Sequence, residues 1–524
     1  MKHINFDKSL NEKILKGVDI LTKAVSATLG PKGRTCIIKG KNSKPLITKD
    51  GVSVARAIEL EDPFENLGAQ IIKQTAESTV LSCGDGTTTA IVLAHAIITK
   101  AQSYIAAGDS VVELRKGINK ALEKTIEIIK PHAQEITSLE QIEQIATISA
   151  NGDKTIGKLI SLAVDKIGKD GSITIQESRT SDTVLELSEG FSFDSGLLAQ
   201  AFINDERRGC LKYEDCLILV TDKNISSIDE ILPILEIVAR DGRPFIIIAE
   251  QVEGQALAAL IMNTMKGTMK AAAIKAPKYG EERRDVLSDI ALVTNAKFIS
   301  RDSGINFKNI KLLDLGVAKI VESNKQFTTI VSSNSDPTKI SEKIESLKNQ
   351  LLNTENLRIC EKIQDRITRL SSGIAIIKVG GATEVEMIEK KHRIEDALEA
   401  VSAAQKEGVI AGGGTSLFRA SKYLESIEVE NDQQAHGVKI IKEAICEPFK
   451  KIAENAGESS DVLLLNILTE LDNWDIGYDM SSTKLCHMYE SGIIDPFKVV
   501  RCALENAVSA ASTLLTTSVA VVET

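Results

Sequence analysis

The stretch Gly84-Asp85-Gly86-Thr87-Thr88-Thr89-Ala90 carries the sharpest chemical signal in this chain of 524 residues. Its two glycines let the backbone approach a ligand closely, and its threonines open a helix whose first amides attract phosphate. Asp85 stands where a carboxylate can hold Mg²⁺ against phosphate oxygens. An N-capped helix after a tight turn explains the same residues equally well. The stretch therefore indicates either a phosphate-binding loop or an ordinary helix start.

Two more glycine loops lie far from the first in sequence. Ala411-Gly412-Gly413-Gly414-Thr415 opens a second predicted helix, and Thr28-Leu29-Gly30-Pro31-Lys32-Gly33-Arg34 closes a third. Three consecutive glycines cost entropy unless the backbone lies against a ligand or a neighbouring helix, and both explanations stay open. The segment Gly152 to Lys158 approaches a Walker A loop, but Leu159 replaces the hydroxyl residue that binds Mg²⁺, so we reject that motif.

Composition places the chain among multidomain globular proteins. Hydrophobic residues make up 43%, charged residues 26% and aromatic residues 4%, so aliphatic side chains must fill the cores. The net charge of -10 disfavours binding to nucleic acid or to an anionic membrane surface. No apolar run is long enough to span a membrane, and the opening residues do not resemble a signal sequence. Eight cysteines without a CxxC pair favour buried thiols in a reducing compartment.

Periodicity separates the two ends of the chain from its middle. Both ends are predicted to be helical, including residues 87–107 and most of the chain after residue 440. In the middle, apolar runs at 217–220, 245–248 and 374–379 predict buried strands, and helical segments alternate with them. Candidate hinges are Gly190, Gly373 and Gly408. The first helix carries one apolar stripe, formed by Leu10, Ile14, Val18, Leu21, Val25 and Leu29.

Three aspartates are each explained by their local setting. Asp50-Gly51 lies between two short apolar segments and predicts a hairpin turn. Asp396 lies in a helical stretch with a solvated face, and Asp495-Pro496 predicts a helix cap with proline in the first turn. Singly, none of the three indicates a chemical role.

Taken together, these motifs resemble one family, the GroEL-type (group I) chaperonins. They follow the family's order and spacing over residues 6–519. The matching motifs are Thr28-Leu29-Gly30-Pro31-Lys32-Gly33-Arg34, Lys49-Asp50-Gly51-Val52, Gly84-Asp85-Gly86-Thr87-Thr88-Thr89-Ala90, Glu384-Val385-Glu386, Glu395-Asp396-Ala397-Leu398, Gly412-Gly413-Gly414 and Ile494-Asp495-Pro496.

The resemblance implies a multidomain fold of α and α/β parts, inserted one within another. An all-helical equatorial domain would comprise residues 1–131 and 408–524. A small α+β intermediate domain would comprise residues 132–188 and 374–407. The α/β apical domain, residues 189–373, would bind substrate and co-chaperonin.

The resemblance also implies an ATP site in the equatorial domain. Asp85 resembles the Mg²⁺ ligand. The full set expected to bind ATP is Thr28, Leu29, Gly30, Pro31, Lys49, Gly51, Asp85, Gly86, Thr87, Thr88, Thr89, Ile148, Ser149, Gly413, Tyr478, Asp479, Met480, Ser481, Ile493 and Asp495.

Hydrolysis is expected at the same site. Asp50 and Asp396 resemble the catalytic pair that orients the attacking water, and a K⁺ ion is expected near Thr28, Lys49 and Thr88. Because Asp396 would belong to the intermediate domain, closure of that domain would complete the site and gate hydrolysis.

The implied function is ATP-dependent folding of other proteins. Homo-oligomeric rings of seven subunits, single or double, would bind non-native polypeptides and a GroES-type co-chaperonin. The groove for both is expected at Leu197, Phe202, Leu232, Leu235, Leu257, Ile261 and Met262. A diverged holdase or scaffold with weak ATPase activity is the alternative. A metabolic kinase or ligase is disfavoured because no motif for a second substrate occurs.

Several residues depart from the family pattern. Asp479-Met480-Ser481 replaces the usual residues beside the adenine, and Ser195 replaces an arginine expected to pair with Glu384 of a neighbouring subunit. Ser103 and Ser459 replace charged residues expected between rings, and the glycine- and methionine-rich tail is missing after residue 524. These changes suggest weak coupling between rings, with a single working ring. A bacterial-type cytoplasm is the expected location, with an organelle matrix or a viral copy as alternatives.

Overall fold

The computed structural model describes residues 2–39, 46–168, 172–178, 180–188, 190–206, 208–333, 336–352, 357–371, 373–470 and 473–523. The α-helices are α1 (Asp7–Ser26), α2 (Gly51–Ala57), α3 (Pro63–Cys83), α4 (Thr87–Ala106), α5 (Val111–Ile129), α6 (Leu139–Ser149), α7 (Lys154–Ile167), α8 (Ile228–Asp241), α9 (Gly254–Met265), α10 (Gly280–Thr294), α11 (Pro337–Leu352), α12 (Leu357–Ser371), α13 (Glu384–Glu407), α14 (Thr415–Ser421), α15 (Asp432–Ala444), α16 (Glu447–Ala456), α17 (Ser460–Leu468) and α18 (Phe497–Leu515).

Strands are concentrated in the middle of the chain. They are β1 (Lys2–Phe6), β2 (Cys36–Ile38), β3 (Leu46–Thr48), β4 (Ser172–Glu177), β5 (Val184–Ser188), β6 (Gly190–Phe193), β7 (Leu211–Val220), β8 (Asn224–Ile225), β9 (Phe245–Ala249), β10 (Gln251–Val252), β11 (Ala271–Lys275), β12 (Gly316–Ser323), β13 (Thr328–Ser332), β14 (Ile374–Val379), β15 (Val409–Ala411), β16 (Ile476–Asp479), β17 (Lys484–His487), β18 (Ile494–Pro496) and β19 (Val519–Glu523).

The chain divides into two compact units. The first combines Met1–Ser161 with Gly381–Thr524, and the second is the continuous segment Leu162–Gly380. Both ends of the chain belong to the first unit, where β1 pairs antiparallel with β19. A unit built from both ends, with the middle inserted, agrees with the nested arrangement expected from the sequence. The finer division into five segments stays a prediction.

The first unit is a helical bundle with an aliphatic core. The predicted stripe of α1 is buried from Leu10 to Val25, and α1 packs against α3 and α4. Burying a side chain of this kind contributes about 1.5–3 kcal/mol. The helix ends at Ser26, earlier than predicted, because the chain turns through Gly30 with φ of 86°. Leu29 therefore lies beyond the helix and is half-buried.

The second unit is α/β, as predicted. Its main sheet has the order β11-β9-β7-β12-β13-β6; β7, β9 and β11 are parallel, and the other pairs are antiparallel. Residues 216–220 and 245–249 are buried, as expected of strands covered on both faces. In a second sheet β14 pairs with β4 and β5, joining strands from both segments expected to form the intermediate domain.

Three local predictions are wrong. Asp50-Gly51 is not a hairpin turn, since β3 pairs back with β2 and Asp50 caps α2. Asp495 lies within β18, and Pro496 takes the cap position of α18. The chain after residue 440 is interrupted by the β16–β17 hairpin, whose turn includes Thr483 with φ of 55°. Among its described residues, the first unit also contains four two-stranded sheets in addition to its helices, so it is not all-helical as predicted.

Candidate functional site

The loop between α3 and α4 has the geometry of an anion site. Gly84 and Gly86 have φ of 75° and 87°, a conformation that glycine adopts without strain. Gly86 takes the cap position of α4 without a side-chain hydrogen bond to the first turn. The first amides of a 20-residue helix are therefore not capped by a side chain from that position.

Two neighbouring helices hold this loop in place. A side chain at Gly84 would clash with Glu399 of α13. At Gly86, a Cβ would lie 2.6 Å from Val499 Cγ1 in the first turn of α18. Close packing and positive φ both exclude other residues here, so the two glycines predicted to approach a ligand are fixed by their surroundings.

Hydrogen bonds hold the carboxylate of Asp85, at the centre of the loop. Its Oδ1 accepts from the Gly86 amide at 2.5 Å, and its Oδ2 accepts from the Ser149 hydroxyl at 3.0 Å. Burial raises the pKa of Asp495 to about 6, the charge of Asp85 adds to that rise, and a hydrogen bond from Gly413 opposes it. The site thus brings two carboxyl groups from distant segments close together, which favours a bound cation.

Asp50 is held rigidly beside the start of α4. Its carboxylate accepts from the Val52 amide at 3.2 Å and from the amide and hydroxyl of Ser53 at 3.0 and 2.6 Å. A side chain at Gly51 would clash with the Thr88 hydroxyl. The loops predicted separately around Asp50 and around Asp85 therefore meet at the first turn of α4.

The triple-glycine loop is packed against Asp495. The Gly412 amide donates to the Ile493 carbonyl at 2.9 Å, and the Gly413 amide donates to Asp495 Oδ2 at 3.0 Å. A Cβ at Gly414 would lie 2.8 Å from the backbone of Phe449, whereas one at Gly413 would have no neighbour within 4 Å. Close packing therefore explains Gly414, and the open side of Gly413 leaves room for a ligand.

The β16–β17 hairpin borders the same loops through a small apolar cluster. Met480 is buried in this cluster with Phe418 and Phe449, and Tyr478 and Leu29 pack against it. Residues from the first and last quarters of the chain thus form one apolar wall. Such a wall is suited to the flat face of a base.

Asp479 is occupied within its own turn. Its carboxylate accepts from the Ser481 amide at 2.8 Å and from the Ser482 hydroxyl at 2.6 Å. Burial would raise the pKa of Asp479, but the bonds from Ser482 and Ser481 outweigh it and lower that pKa. Asp479 therefore stays ionised and shapes the hairpin.

The Thr28 loop is tied to α16 by a residue that the sequence analysis missed. Asn455 Nδ2 donates to the carbonyls of Ser26 and Leu29, both at 2.9 Å. Thr28 is buried, and its hydroxyl donates to the Val25 carbonyl at 2.8 Å. Of the other predicted residues, Thr87 is buried, and those half-buried or exposed are Gly30, Pro31, Lys49, Thr89 and Ile148.

Arg419 is a second residue that was missed. It is fully buried in α14 and donates to the Ile476 carbonyl at 2.6 Å through Nη2 and to the Glu470 carbonyl at 3.0 Å through Nη1. Burial lowers its pKa from the usual arginine range. An arginine on the apolar face of a helix was the available signal, because a buried charge needs a specific role.

Asp396 lies on α13, one turn before the residue that contacts Gly84. That residue is Glu399, and positions three apart share a helix face. The same helix packs against β3, which leads directly into Asp50. Helix α13, which carries Asp396, therefore lies beside both the loop of Asp85 and the loop of Asp50.

The seven residues expected to bind substrate lie in the second unit and differ in exposure. Leu232 and Met262 are 44% and 54% exposed. Phe202 and Leu235 are buried in the core, so in this conformation they support the surface rather than form it. Three others are partly buried against that core: Leu197, Leu257 and Ile261.

The described residues contain neither a metal-binding cluster of side chains nor a membrane-spanning helix. No group of three or more His, Cys, Asp or Glu side chains there is placed to hold a metal ion by itself. None of the helices in those ranges combines the length and the hydropathy needed to cross a membrane.

Comparison with known proteins gives one family. The profile of the TCP-1/cpn60 chaperonin family matches residues 21–524. Two crystal structures of the chaperonin gp146 from bacteriophage EL 2 (Pseudomonas aeruginosa), both in the presence of ATP-BeFx, share the fold, with TM-scores of 0.66 and 0.63. Each is 21% identical to this chain, and the match covers 99% of both chains. The chain belongs to the TCP-1/cpn60 chaperonin family and has the GroEL-type fold.

Proposed function

We propose that this chaperonin hydrolyses ATP to drive the folding of other proteins within a ring. The observation that carries the proposal is the meeting of the loops at Asp50, Asp85 and Gly413 around the start of α4. These loops combine amides that are not capped by a side chain, two neighbouring carboxyl groups and an apolar wall, which together suit a nucleotide.

The amides of Thr87, Thr88 and Thr89 would bind the phosphates, because they lie at the positive end of α4. Gly413 leaves open space beside Asp495, where a ribose hydroxyl can donate to the carboxylate. Tyr478 and Ile493 would contact the base or ribose, with Asp479, Met480 and Ser481 forming the hairpin beside them. ATP is thus proposed to lie between α4 and that hairpin.

The donor set also fits the metal ions expected from the sequence. Mg²⁺ prefers oxygen ligands and is often held by one or two carboxylates together with substrate phosphates. Asp85 can supply one such carboxylate. The described residues around it form no group of three or more acidic, His or Cys ligands, so phosphate oxygens would have to complete the coordination. For K⁺, Thr28 and Thr88 offer hydroxyl and carbonyl oxygens, whereas Lys49 can contribute only its carbonyl because its ammonium group is cationic.

Hydrolysis is assigned to Asp50 and Asp396. Hydrogen bonds from Val52 and Ser53 fix the Asp50 carboxylate, which would orient a water molecule in line with the γ-phosphate. Asp396 would complete the water site from α13. Mg²⁺, when bound, neutralises the charge of the phosphates.

Polypeptide binding is assigned to the exposed apolar face of α8 and α9. Leu232 and Met262 are exposed, and Met265 in the last turn of α9 is 74% exposed. Exposed leucine and methionine side chains suit non-native chains of varied sequence. We propose the same face as the contact for a GroES-type co-chaperonin.

Ring assembly is supported by strand edges in the first unit. The β2–β3 hairpin presents Ile37 and Ile47 to solvent, and β19 presents Val519 and Val521. Two-stranded sheets with free edges and exposed apolar side chains are suited to pairing with a second copy of the chain. A closed homo-oligomer of seven subunits would satisfy these edges.

Phosphate release distinguishes this function from a holdase or scaffold with weak ATPase activity. We expect wild type to release phosphate from Mg-ATP with no second substrate, which also excludes a kinase or ligase. Asp396→Ala and Asp85→Ala should lose most of the activity, whereas Glu123→Ala, at an exposed carboxylate of α5, should retain it. Equal, weak rates in all four proteins would favour the holdase.

A further inference from the structure

Two cysteines meet beneath the phosphate loop. Cys83 is the last residue of α3, Cys502 lies on α18, and their side chains are 4% and 7% exposed. They belong to one small buried cluster with Ala403 and Val499, and the Cys83 thiol donates to the Lys498 carbonyl at 3.7 Å. Two thiols 419 positions apart in sequence thus lie in the same buried cluster.

This cluster adjoins the phosphate loop at two points, Cys83 and Val499. Cys83 immediately precedes Gly84, so any movement of its Cα moves the first glycine of the loop. Val499, from the same cluster, packs where a Cβ of Gly86 would lie. The thiol pair therefore lies directly under the segment that carries Asp85.

The surroundings favour reaction at one of the two sulfurs. The neighbouring Cys83 thiol lowers the pKa of Cys502 to about 7, burial opposes this, and the Arg501 guanidinium adds to the lowering. Arg501 is itself held by Glu407 and Glu505. Because the thiolate is the nucleophile, Cys502 is the sulfur that attacks an oxidant.

We propose that Cys83 and Cys502 form a reversible disulfide that locks the phosphate loop against α18. With a peroxide as oxidant, the Cys502 thiolate attacks one oxygen, the O–O bond breaks and Cys502 becomes a sulfenic acid. The Cys83 sulfur then displaces water from Cys502 as the S–S bond forms. The two thiols lose two electrons and two protons, and the peroxide is reduced to two waters. A dithiol reductant restores the pair.

Formation of the bond pulls the loop out of its resting position. A disulfide needs an S–S distance of about 2.0 Å, so the two sulfurs of the cluster must move toward each other. The end of α3 then moves toward α18, and Gly84 and Asp85 move with it. Resting on the proposed ATPase function, this predicts a lower turnover for oxidised protein. The disulfide itself does not depend on that function.

The full-length protein is treated with hydrogen peroxide, and peptides are mapped by mass spectrometry before and after reduction. We expect one linked pair, between the peptides of Cys83 and Cys502, lighter by the mass of two hydrogen atoms. Amide exchange across residues 84–89 should slow about tenfold on oxidation. Sulfenic or higher acids without the linked pair, or unchanged exchange, would overturn the proposal.

Turnover is measured on the same samples. Oxidation should lower kcat at least about fivefold, and reduction should restore it. Cys502→Ser should resist oxidation, whereas Cys360→Ser, a partly exposed thiol of the second unit, should respond like wild type. A linked pair without loss of kcat would reject the regulatory role. If the reduced protein hydrolyses no ATP, the proposed function is wrong. Peptide mapping and amide exchange still show in that case whether the disulfide forms.

Discussion

The carboxyl groups of Asp85 and Asp495 lie close enough for the charge of one to raise the pKa of the other, although they are 410 positions apart in sequence. The pKa of Asp495 rises to about 6 from an ordinary value of 3.8. A raised carboxyl pKa stabilises the fold below pH 3.8, and this contribution is lost as the pH rises through 6. Without metal and nucleotide, the site is therefore strained at neutral pH.

Asp495→Asn should relieve this strain. We expect the variant and wild type to be similarly stable near pH 4, and the variant to be more stable at pH 8 by on the order of 1–3 kcal/mol. Thermal unfolding in EDTA across this range measures the difference. Glu123→Gln serves as the control on an exposed carboxylate. If the curves of Asp495→Asn and wild type stay parallel, the Asp495 carboxyl is not strained.

Gly86→Ala should abolish nucleotide binding as well as lower stability. Positive φ alone costs about 1 kcal/mol, and the contact with Val499 adds displacement of the loop. Gly108→Ala is the matched control, because Gly108 has φ of 105° but no neighbour within 4 Å of a Cβ. Calorimetric titration with ATP should show normal binding for Gly108→Ala. Normal binding by Gly86→Ala would show that the loop does not contact nucleotide.

Arg419→Met should weaken ATP binding more than it slows hydrolysis. Without the guanidinium, the carbonyls of Glu470 and Ile476 lose their donors and the β16–β17 hairpin shifts, at a cost of about 1–3 kcal/mol in stability. Since the hairpin is proposed to border the base, KM for ATP should rise severalfold with little change in kcat. Arg115→Met, on the exposed side of α5, provides the control. A fall in kcat at constant KM would contradict this role.

Leu232→Ser and Met262→Ser should impair polypeptide binding without unfolding the second unit. Both side chains are largely exposed, so the change in the free energy of unfolding should stay within about 0.5 kcal/mol. Suppression of aggregation of a chemically denatured test protein should decline in each. Leu235→Ser, at a buried position on the same helix, should instead cost about 2–5 kcal/mol. If both exposed variants suppress aggregation fully, the polypeptide-binding surface lies elsewhere.

Native mass spectrometry tests the assembly. A single ring of seven would have a mass of about 400 kDa, from a chain of 56.7 kDa. Because Ser103 and Ser459 replace the charged residues expected between rings, we expect a single ring with and without Mg-ATP. A stable species of twice that mass in both conditions would reject weak coupling between rings.

The sequence predicted the elements better than their junctions. Strands β9 and β14 and helix α4 were predicted because apolar runs and periodicity are local properties. The Asp50 hairpin was wrong because an aspartate before glycine suits a turn and a helix cap equally, and the choice depends on β2, which pairs with β3. Asn455 was missed because its partners are backbone carbonyls of a distant segment, which no sequence pattern encodes. Arg419 had a local signal, its place on an apolar helix face, but its carbonyl partners were equally hidden.

The pairing of β1 with β19 has a consequence for synthesis on the ribosome. The second unit is continuous and can fold once residue 380 has left the exit tunnel, whereas the first cannot close until the last strand has been made. During that delay the apolar faces of α3 and α4 lack their partner α18. Newborn chains should therefore be most prone to aggregation and proteolysis while residues 381–515 are being translated. Slow codons in that segment would lengthen this exposure.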